Sequence, residues 1–533
     1  MIQVITLGLF LLLLLLAFVS ESPAAADIFL RLDPILVMIT AVSARIFRPA
    51  FIPGLVVLLL APVAGRIFCG YVCPMGTTLD GGDRIFGPVP RKQFRSETLR
   101  MVKYLVLIFL MGAAAGGISF VFAASPLSLV TRFYGLVLYP VLGFLSHRAV
   151  ELLRPVADYL DIRSLAYAQI DVPKFATQFF VLSFFAAIFA MVRFSPRFWC
   201  RYLCPSGAIL AIFSQKPIIR RRVSEDCTDC GKCVRKCPMN AIPGDSPGLT
   251  RSGECIICQT CKGVCPVSAV SFGIEKGLPR IPEPLITGIS LSRRGFIYSG
   301  VAGAGTALVS LTGLNAPHDK AGEGQVAPPG LIRPPGARPE ADFLSRCVRC
   351  GECMAACPTN TIQPLWLTAG FTGIFSPSLI SRRGVCDPKC NRCGHICPTD
   401  AIRNLSKNER IWAKTGTAMI FRQKCLAWEY QKSCMVCDEV CPFNAIEFKR
   451  EPGNPFAVPH VIEDKCGGCG YCEHFCPVNN QAAIVVTPMG EIRLAGGSYE
   501  KEGRGMGLRL QLKTGGYNLP PVEAGGSAPG FEE

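Results

Sequence analysis

Histidine is nearly absent. The 533 residues hold five, and His147 is the only one among the first 226, so a haem ligated by two histidines is excluded there. Acidic residues are also scarce, 39 against 55 Lys and Arg, which leaves a formal charge of +16. Such an excess invites a nucleic-acid partner, but the basic residues bunch beside hydrophobic segments, where they orient a membrane protein, and no nucleic acid is expected. No Walker, dinucleotide-binding or nucleophile-elbow motif occurs, so nucleotide and serine-hydrolase chemistry have no foothold.

Cysteine, by contrast, is abundant at 28. Cys227, Cys230, Cys233 and Cys237 are spaced CxxCxxCxxxC and followed by Pro238. The pattern recurs unaltered at Cys255, Cys258, Cys261 and Cys265, at Cys347, Cys350, Cys353 and Cys357, and at Cys466, Cys469, Cys472 and Cys476. It returns stretched at Cys386, Cys390, Cys393 and Cys397, and at Cys425, Cys434, Cys437 and Cys441, where eight residues separate the first two cysteines. Three thiolates on one tight loop face a single cubane, and the fourth, carried onto the next helix, points to a neighbour. Proline after it ends the ligand segment. Disulfide frameworks do not keep one spacing six times, and zinc ribbons follow no proline rule.

Six motifs in three pairs imply six [4Fe-4S] clusters with exchanged last ligands. The expected sets are Cys227, Cys230, Cys233 with Cys265; Cys255, Cys258, Cys261 with Cys237; Cys347, Cys350, Cys353 with Cys397; Cys386, Cys390, Cys393 with Cys357; Cys425, Cys434, Cys437 with Cys476; and Cys466, Cys469, Cys472 with Cys441. The longer loops cost little closure entropy, so ligation survives them. His395, His460 and His474 then have no place as ligands.

Hydrophobic residues make up 50% of the chain, and a mean hydropathy of +0.34 is too high for a soluble ferredoxin. Spans are expected at Ile2–Val19, about Phe51–Phe68, Val102–Ala124 and Phe175–Val192; Leu127–Leu145 reads as either a span or an interfacial helix. Ile2–Val19 lacks the basic start of a signal peptide and reads as a retained helix. Arg84, Arg91, Lys92, Arg95, Arg100 and Lys103 follow one span, and Arg197, Arg201, Lys216, Arg220, Arg221 and Arg222 another, so both loops face the cytoplasm.

Two spans end alike, in Arg66-Ile67-Phe68-Cys69-Gly70-Tyr71-Val72-Cys73-Pro74-Met75-Gly76 and Arg197-Phe198-Trp199-Cys200-Arg201-Tyr202-Leu203-Cys204-Pro205-Ser206-Gly207. An internal repeat of this kind suggests two pseudo-symmetric halves meeting at a site, where Cys69, Cys73, Cys200 and Cys204 converge. A seventh cluster, copper or another soft metal, a redox-active thiol pair and plain packing all remain open for them.

Leu291-Ser292-Arg293-Arg294-Gly295-Phe296-Ile297 matches the twin-arginine export motif, carried by Ser292, Arg293, Arg294 and Phe296 ahead of a mildly hydrophobic segment. That route carries folded proteins, as a domain loaded with clusters requires. The expected fold class is multidomain: an all-α transmembrane helical domain followed by α+β bacterial-type two-cluster ferredoxin domains. Its parts are residues 1–226 in the membrane, 227–289 a cytoplasmic ferredoxin, 290–314 an export signal or anchor, 315–340 a Pro/Gly linker, 341–495 an exported four-cluster domain and 496–533 a flexible tail.

With its paired CxxxCP spans and following two-cluster unit, the membrane half resembles NapH, a membrane quinol dehydrogenase component. From Ser292 onward the chain resembles the NapG and MauM ferredoxin-type proteins. The resemblance implies a bacterial inner-membrane protein that takes electrons from the quinone pool to a periplasmic reductase or c-type cytochrome, after handling by the Tat translocase. A rival reading is an accessory or maturation factor that handles copper through the CxxxCP cysteines.

Overall fold

The computed structural model describes residues 2–19, 28–86, 97–159, 161–162, 172–274, 292–311, 330–367 and 369–513. Two compact units emerge: Met1–Leu16, Ala25–Phe133 and Phe180–Leu314 form the first, and Ala17–Ala24, Tyr134–Phe179 and Asn315–Glu533 the second.

The first unit opens on helices. α1 (Ile2–Val19) is leucine-rich, yet its first turns carry Gln3 and Thr6, which donate to the carbonyls of Gly70 (2.7 Å) and Tyr71 (2.7 Å). α2 (Pro34–Ala44) starts where Asp33 caps Ile35 N–H and proline occupies the first helical position. α3 (Ile52–Ala64), α4 (Pro74–Phe86) and α5 (Glu97–Ala115) follow. α6 (Pro126–Tyr159) is wound more widely over Tyr134–Leu138. α7 (Gln178–Val192), α8 (Phe198–Tyr202) and α9 (Pro205–Phe213) complete the helical region. No strand precedes Arg220 among the described residues.

Among the described residues, the spans expected at Ile2–Val19, Phe51–Phe68 and Phe175–Val192 fall on shorter apolar helices. The segment expected at Phe51–Phe68 stops at Ala64, where Gly65 turns to a positive φ; Val102–Ala124 is realised as α5, ending before the Gly116-Gly117 turn; and Phe175–Val192 becomes α7. Thr98–Ala115 and Pro126–Tyr159 are long and apolar enough to cross a membrane. The stretch Leu127–Leu145 lies inside the second of these.

β1 (Arg220–Val223) and β2 (Val270–Gly273) pair antiparallel, Val223 opposite Val270, and bracket two cysteine loops. α10 (Arg293–Leu311), the expected export segment, lies along α5. Small residues allow the contact: a Cβ on Gly112 would stand 2.5 Å from Gly300 O, and one on Gly303 would collide with Phe109 O. Ser292, read as part of the export motif, caps this helix through Gly295 N–H (3.0 Å), while the Arg293, Arg294 and Phe296 side chains are exposed.

In the second unit, α11 (Glu340–Arg346) precedes three antiparallel strand pairs: β3 (Ile362–Pro364) with β4 (Pro377–Leu379), β5 (Thr417–Ile420) with β8 (Ile484–Thr487), and β6 (Ile446–Arg450) with β7 (Ala457–Val461). Leu136 and Phe175, placed by sequence in the membrane half, join its core beside Phe343 and Ile402. Lys174 O accepts from Asn360 (3.0 Å) and Gln363 (3.2 Å).

Part of the expected linker at 315–340 and of the expected tail at 496–533 is ordered structure. Residues 315–329 and 514–533 lie outside those described. Arg333 is already buried, donating to Ser376 and to Pro377 O (2.8 Å each). At the other end α12 (Tyr499–Gly505) is held by Glu409, which accepts from Tyr499 N–H, and Tyr499 is fully buried.

Candidate metal centres

Each regular cysteine loop is shaped by its backbone. The residue after the second cysteine is left-handed at Gly231, Gln259, Gly351 and Gly470, which aims the third cysteine back at the loop. Beyond the fourth cysteine, Cys-Pro-x-Asn and its variants make a tight turn: Asn240, Ser268, Asn360, Asp400 and Asn444 all take positive φ and donate N–H to the carbonyl of the preceding cysteine. That residue choice was visible in the sequence, because Asn, Asp and Ser recur three positions after the cysteine. Its cause is the turn.

The turn aims the fourth cysteine away from its own loop. Cys265 lines one cavity with Cys227, Cys230 and Cys233, and Cys237 lines another with Cys255, Cys258 and Cys261. In the second unit Cys397 joins Cys347, Cys350 and Cys353; Cys441 joins Cys466, Cys469 and Cys472; and Cys476 joins Cys425, Cys434 and Cys437. Cys357 lies within electrostatic reach of Cys386, Cys390 and Cys393. All six expected groupings are therefore brought together. All 28 cysteines are free thiols, so the structure contains no disulfide framework.

The surroundings suit thiolate ligands. Backbone N–H groups of Ala241 (3.3 Å), Ile402 (3.5 Å) and Ala445 (3.3 Å) donate to Cys237, Cys397 and Cys441 Sγ. Burial pushes the Cys386 thiol up to about 11 against the pull of Arg410, which donates to its Sγ at 3.1 Å. Burial likewise raises Cys255 to about 12. Thiols this reluctant to ionise alone give up their protons to a bound metal centre, whose uptake is therefore proton-releasing. No three His, Cys, Asp or Glu side chains among the described residues come close enough to share a single metal ion, whereas a cubane holds its thiolates further apart.

The sets form an order. In the first unit Arg221 lines both cavities and donates to Cys233 Sγ at 3.6 Å. In the second, Cys353 is within electrostatic reach of Cys393, Cys469 of Cys386, and Cys472 of Cys437. The four sets thus run from the one at Cys347, through those at Cys386 and Cys466, to the one at Cys425. A Cβ on Gly351, in the first of these loops, would lie 3.3 Å from Leu136.

The CxxxCP repeats also converge. Cys204 is within electrostatic reach of Cys200, Cys69 and Cys73. Three basic residues read as membrane-orienting instead dock the first cysteine domain: Lys103 donates to Glu254 (2.6 Å), Arg100 to Asn240 O (3.3 Å) and Arg201 to Pro238 O (3.0 Å), and Arg66 of the CxxxCP repeat joins Lys103 on Glu254 (3.0 Å). Arg91, Lys92 and Arg95 lie outside the described residues. None of the histidines read as non-ligands joins a cysteine set: His395 meets Asn391, His460 meets Glu451, and His474 meets Ser381 O.

Comparison with known proteins agrees. A 4Fe-4S dicluster domain family matches residues 432–480, and a 4Fe-4S binding domain family matches 222–242 and 343–363. A second 4Fe-4S binding domain family matches 49–93 and 177–224, whose only cysteines are those of the CxxxCP repeats. The methylamine utilization ferredoxin-type protein MauM of Methylorubrum extorquens is 34% identical over 221 residues, 40% of this chain and 97% of MauM. The chain belongs to the MauM and NapG family of ferredoxin-type proteins. NapG of Escherichia coli is 35% identical over 169 residues, 30% of this chain and 71% of NapG. YccM of Escherichia coli, a putative electron transport protein, is 34% identical over 224 residues, 40% of this chain and 52% of YccM, so the chain spans about half of that relative. As a member of this family the protein is a ferredoxin-type electron carrier, and its cofactors are 4Fe-4S clusters. When bound, they supply one-electron chemistry; the chain supplies thiolates, N–H donors and buried arginines.

Proposed function

We propose that the protein is a membrane-bound electron conduit. It holds six [4Fe-4S] clusters in the six exchanged cysteine sets and carries electrons from quinol to an acceptor on the outer face of a bacterial inner membrane. The observation that carries this reading is the unbroken order of the four sets in the second unit. It starts beside Leu136 of the candidate membrane helix α6 and ends at the Cys425 set, whose loop exposes Tyr430 and Met435. A store of clusters has no need of a line; a wire does.

In this reading the first unit plays the NapH-like part, receiving electrons on the cytoplasmic side, and the second unit is exported folded. The close packing of α10 on α5 supports a twin-arginine segment that stays as an anchor. Quinol added anaerobically to the full-length protein in lipid nanodiscs tests the proposal. Bleaching of cluster absorbance in proportion to quinol consumed is expected, and reduced clusters that never appear with either menaquinol or ubiquinol analogues would refute it.

A further inference from the structure

One cysteine loop differs from the regular ones in a way that its sulfur feels. Between Cys386 and Cys390 stand three residues, Asp387, Pro388 and Lys389, where the regular loops have two. In regular loops the amide two positions after the first cysteine donates to its sulfur, as Ile257 does at Cys255 and Arg349 at Cys347. At Cys386 that position is Pro388, which has no N–H to give. The next amide, Lys389 N–H, is turned to the Asp387 carboxylate at 2.8 Å. The second cysteine of the loop, Cys390, keeps an ordinary donor in Arg392 N–H.

The donor for Cys386 comes from another segment. Arg410 lies on the short helix Lys407–Trp412 and is 4% exposed. Its guanidinium spans the widened loop: Nε donates to Cys390 O at 3.0 Å, and Nη2 to Asp387 O at 3.2 Å and to Cys386 Sγ at 3.1 Å. The helix is itself pinned by Glu409, which accepts from Ser498 and from the N–H groups of Tyr499 and Glu500. The extra loop residue and the buried guanidinium therefore belong together: the insertion opens the loop, and Arg410 fills it.

A guanidinium is not equivalent to the amide it replaces. Charge-assisted hydrogen bonds are roughly twice as strong as neutral ones, and hydrogen bonds to the sulfurs tune cluster potential. An electron arriving at this set meets a full positive charge at hydrogen-bond distance. The opposing carboxylate in the loop, Asp387, is only half-buried and accepts within its own turn. At the flanking sets the charges are mixed. Arg349 and Arg333 stand against Glu340 and Glu352 at the Cys347 set; Lys513 and Lys414 reach the Cys466 set, with Glu463 and Asp464 close to Lys414.

We infer that Arg410 makes the cluster of the Cys386 set easier to reduce than those of the Cys347 and Cys466 sets on either side, so that the second place in the line of four is where an electron rests. This inference rests on the cluster reading and on the order of the sets, and not on quinol or on export.

Stepwise reductive titration of anaerobically purified full-length protein, followed by electron paramagnetic resonance, tests it. The C353A, C393A and C472A variants assign the signals of the three consecutive sets. In wild type the signal abolished by C393A should be the first of the three to appear, and earlier appearance of either of the others overturns the inference. In R410Q the reduction equilibrium of that cluster should fall at least tenfold, a midpoint lower by about 59 mV for a one-electron couple. R410K keeps the charge and should recover most of the difference. An R410Q midpoint unchanged from wild type, or an R410K midpoint as low as that of R410Q, counts against the assignment. Chains that hold zinc in place of iron and sulfide would sink the cluster reading itself.

Discussion

Arg221 offers the sharpest electrostatic test of the paired clusters. It sits on β1 between two cavities, nearly fully buried, with Nη2 donating to Cys233 Sγ at 3.6 Å and Nη1 to Thr250 Oγ1 at 2.9 Å. Reduction adds an electron to each cluster, and a nearby fixed cation stabilises the reduced form more than the oxidised one. A unit charge about 5.5 Å away at an effective dielectric of about 20 interacts by about 3 kcal/mol. At about 59 mV per tenfold change for one electron, that is at most roughly 130 mV, and the exposure of Cys230 screens part of it. Arg221→Gln should therefore lower both first-unit midpoints by roughly 60–130 mV and leave the second unit's clusters unmoved. Potentiometric titration followed by electron paramagnetic resonance on the full-length protein reads this out. Unchanged midpoints in the first unit, with both clusters retained, would refute the placement of Arg221 between them.

Three further outcomes follow from buried contacts. Glu254→Gln removes the partner of Arg66 and Lys103; the loss of about 3–5 kcal/mol should lower the thermal stability of the first unit and loosen its clusters, measured by chelator-dependent bleaching. Burial alone would raise the Glu340 carboxyl, but Arg333 and Arg493 overcome it and hold Glu340 below its ordinary value of 4.5. The stabilisation is complete above that value and drains away as pH falls through the lower folded one, so the melting-temperature advantage of wild type over Glu340→Gln should hold at neutral pH and shrink below about 4.5. Gly303→Leu places a side chain against Phe109 O and should separate α10 from α5, exposing the Arg293–Leu311 segment to protease in intact membranes.

The cluster sets were legible because their chemistry is local: thiol spacing and the proline rule act over a dozen residues, and exchange of the fourth ligand follows from loop geometry alone. The same holds for the CxxxCP repeat, whose two copies announce each other. What the sequence concealed is long-range. Nothing near Lys103 or Arg100 shows that they dock on Glu254 and Asn240, so the positive-inside pattern absorbed residues whose work is structural. Arg66 and Arg197 occupied matching places in both repeats, but their crossing onto Gly207 and Gly76 requires the folded pair. Leu136 and Phe175 are apolar residues in an apolar half, and only tertiary contact places them with the second unit. The tail misled because glycine and charge around Gly496–Arg504 mask Tyr499, whose burial beneath Glu409 fixes the segment.

The conduit stands or falls on the order of the second unit's clusters. The direct measurement is freeze-quenched electron paramagnetic resonance of the full-length protein after a pulse of quinol, comparing wild type with Cys393→Ser, which breaks the line at the Cys386 set. The account predicts that the Cys347-set cluster is still reduced in the variant while those of the Cys466 and Cys425 sets stay oxidised. Reduction of the distal clusters at the wild-type rate would contradict it.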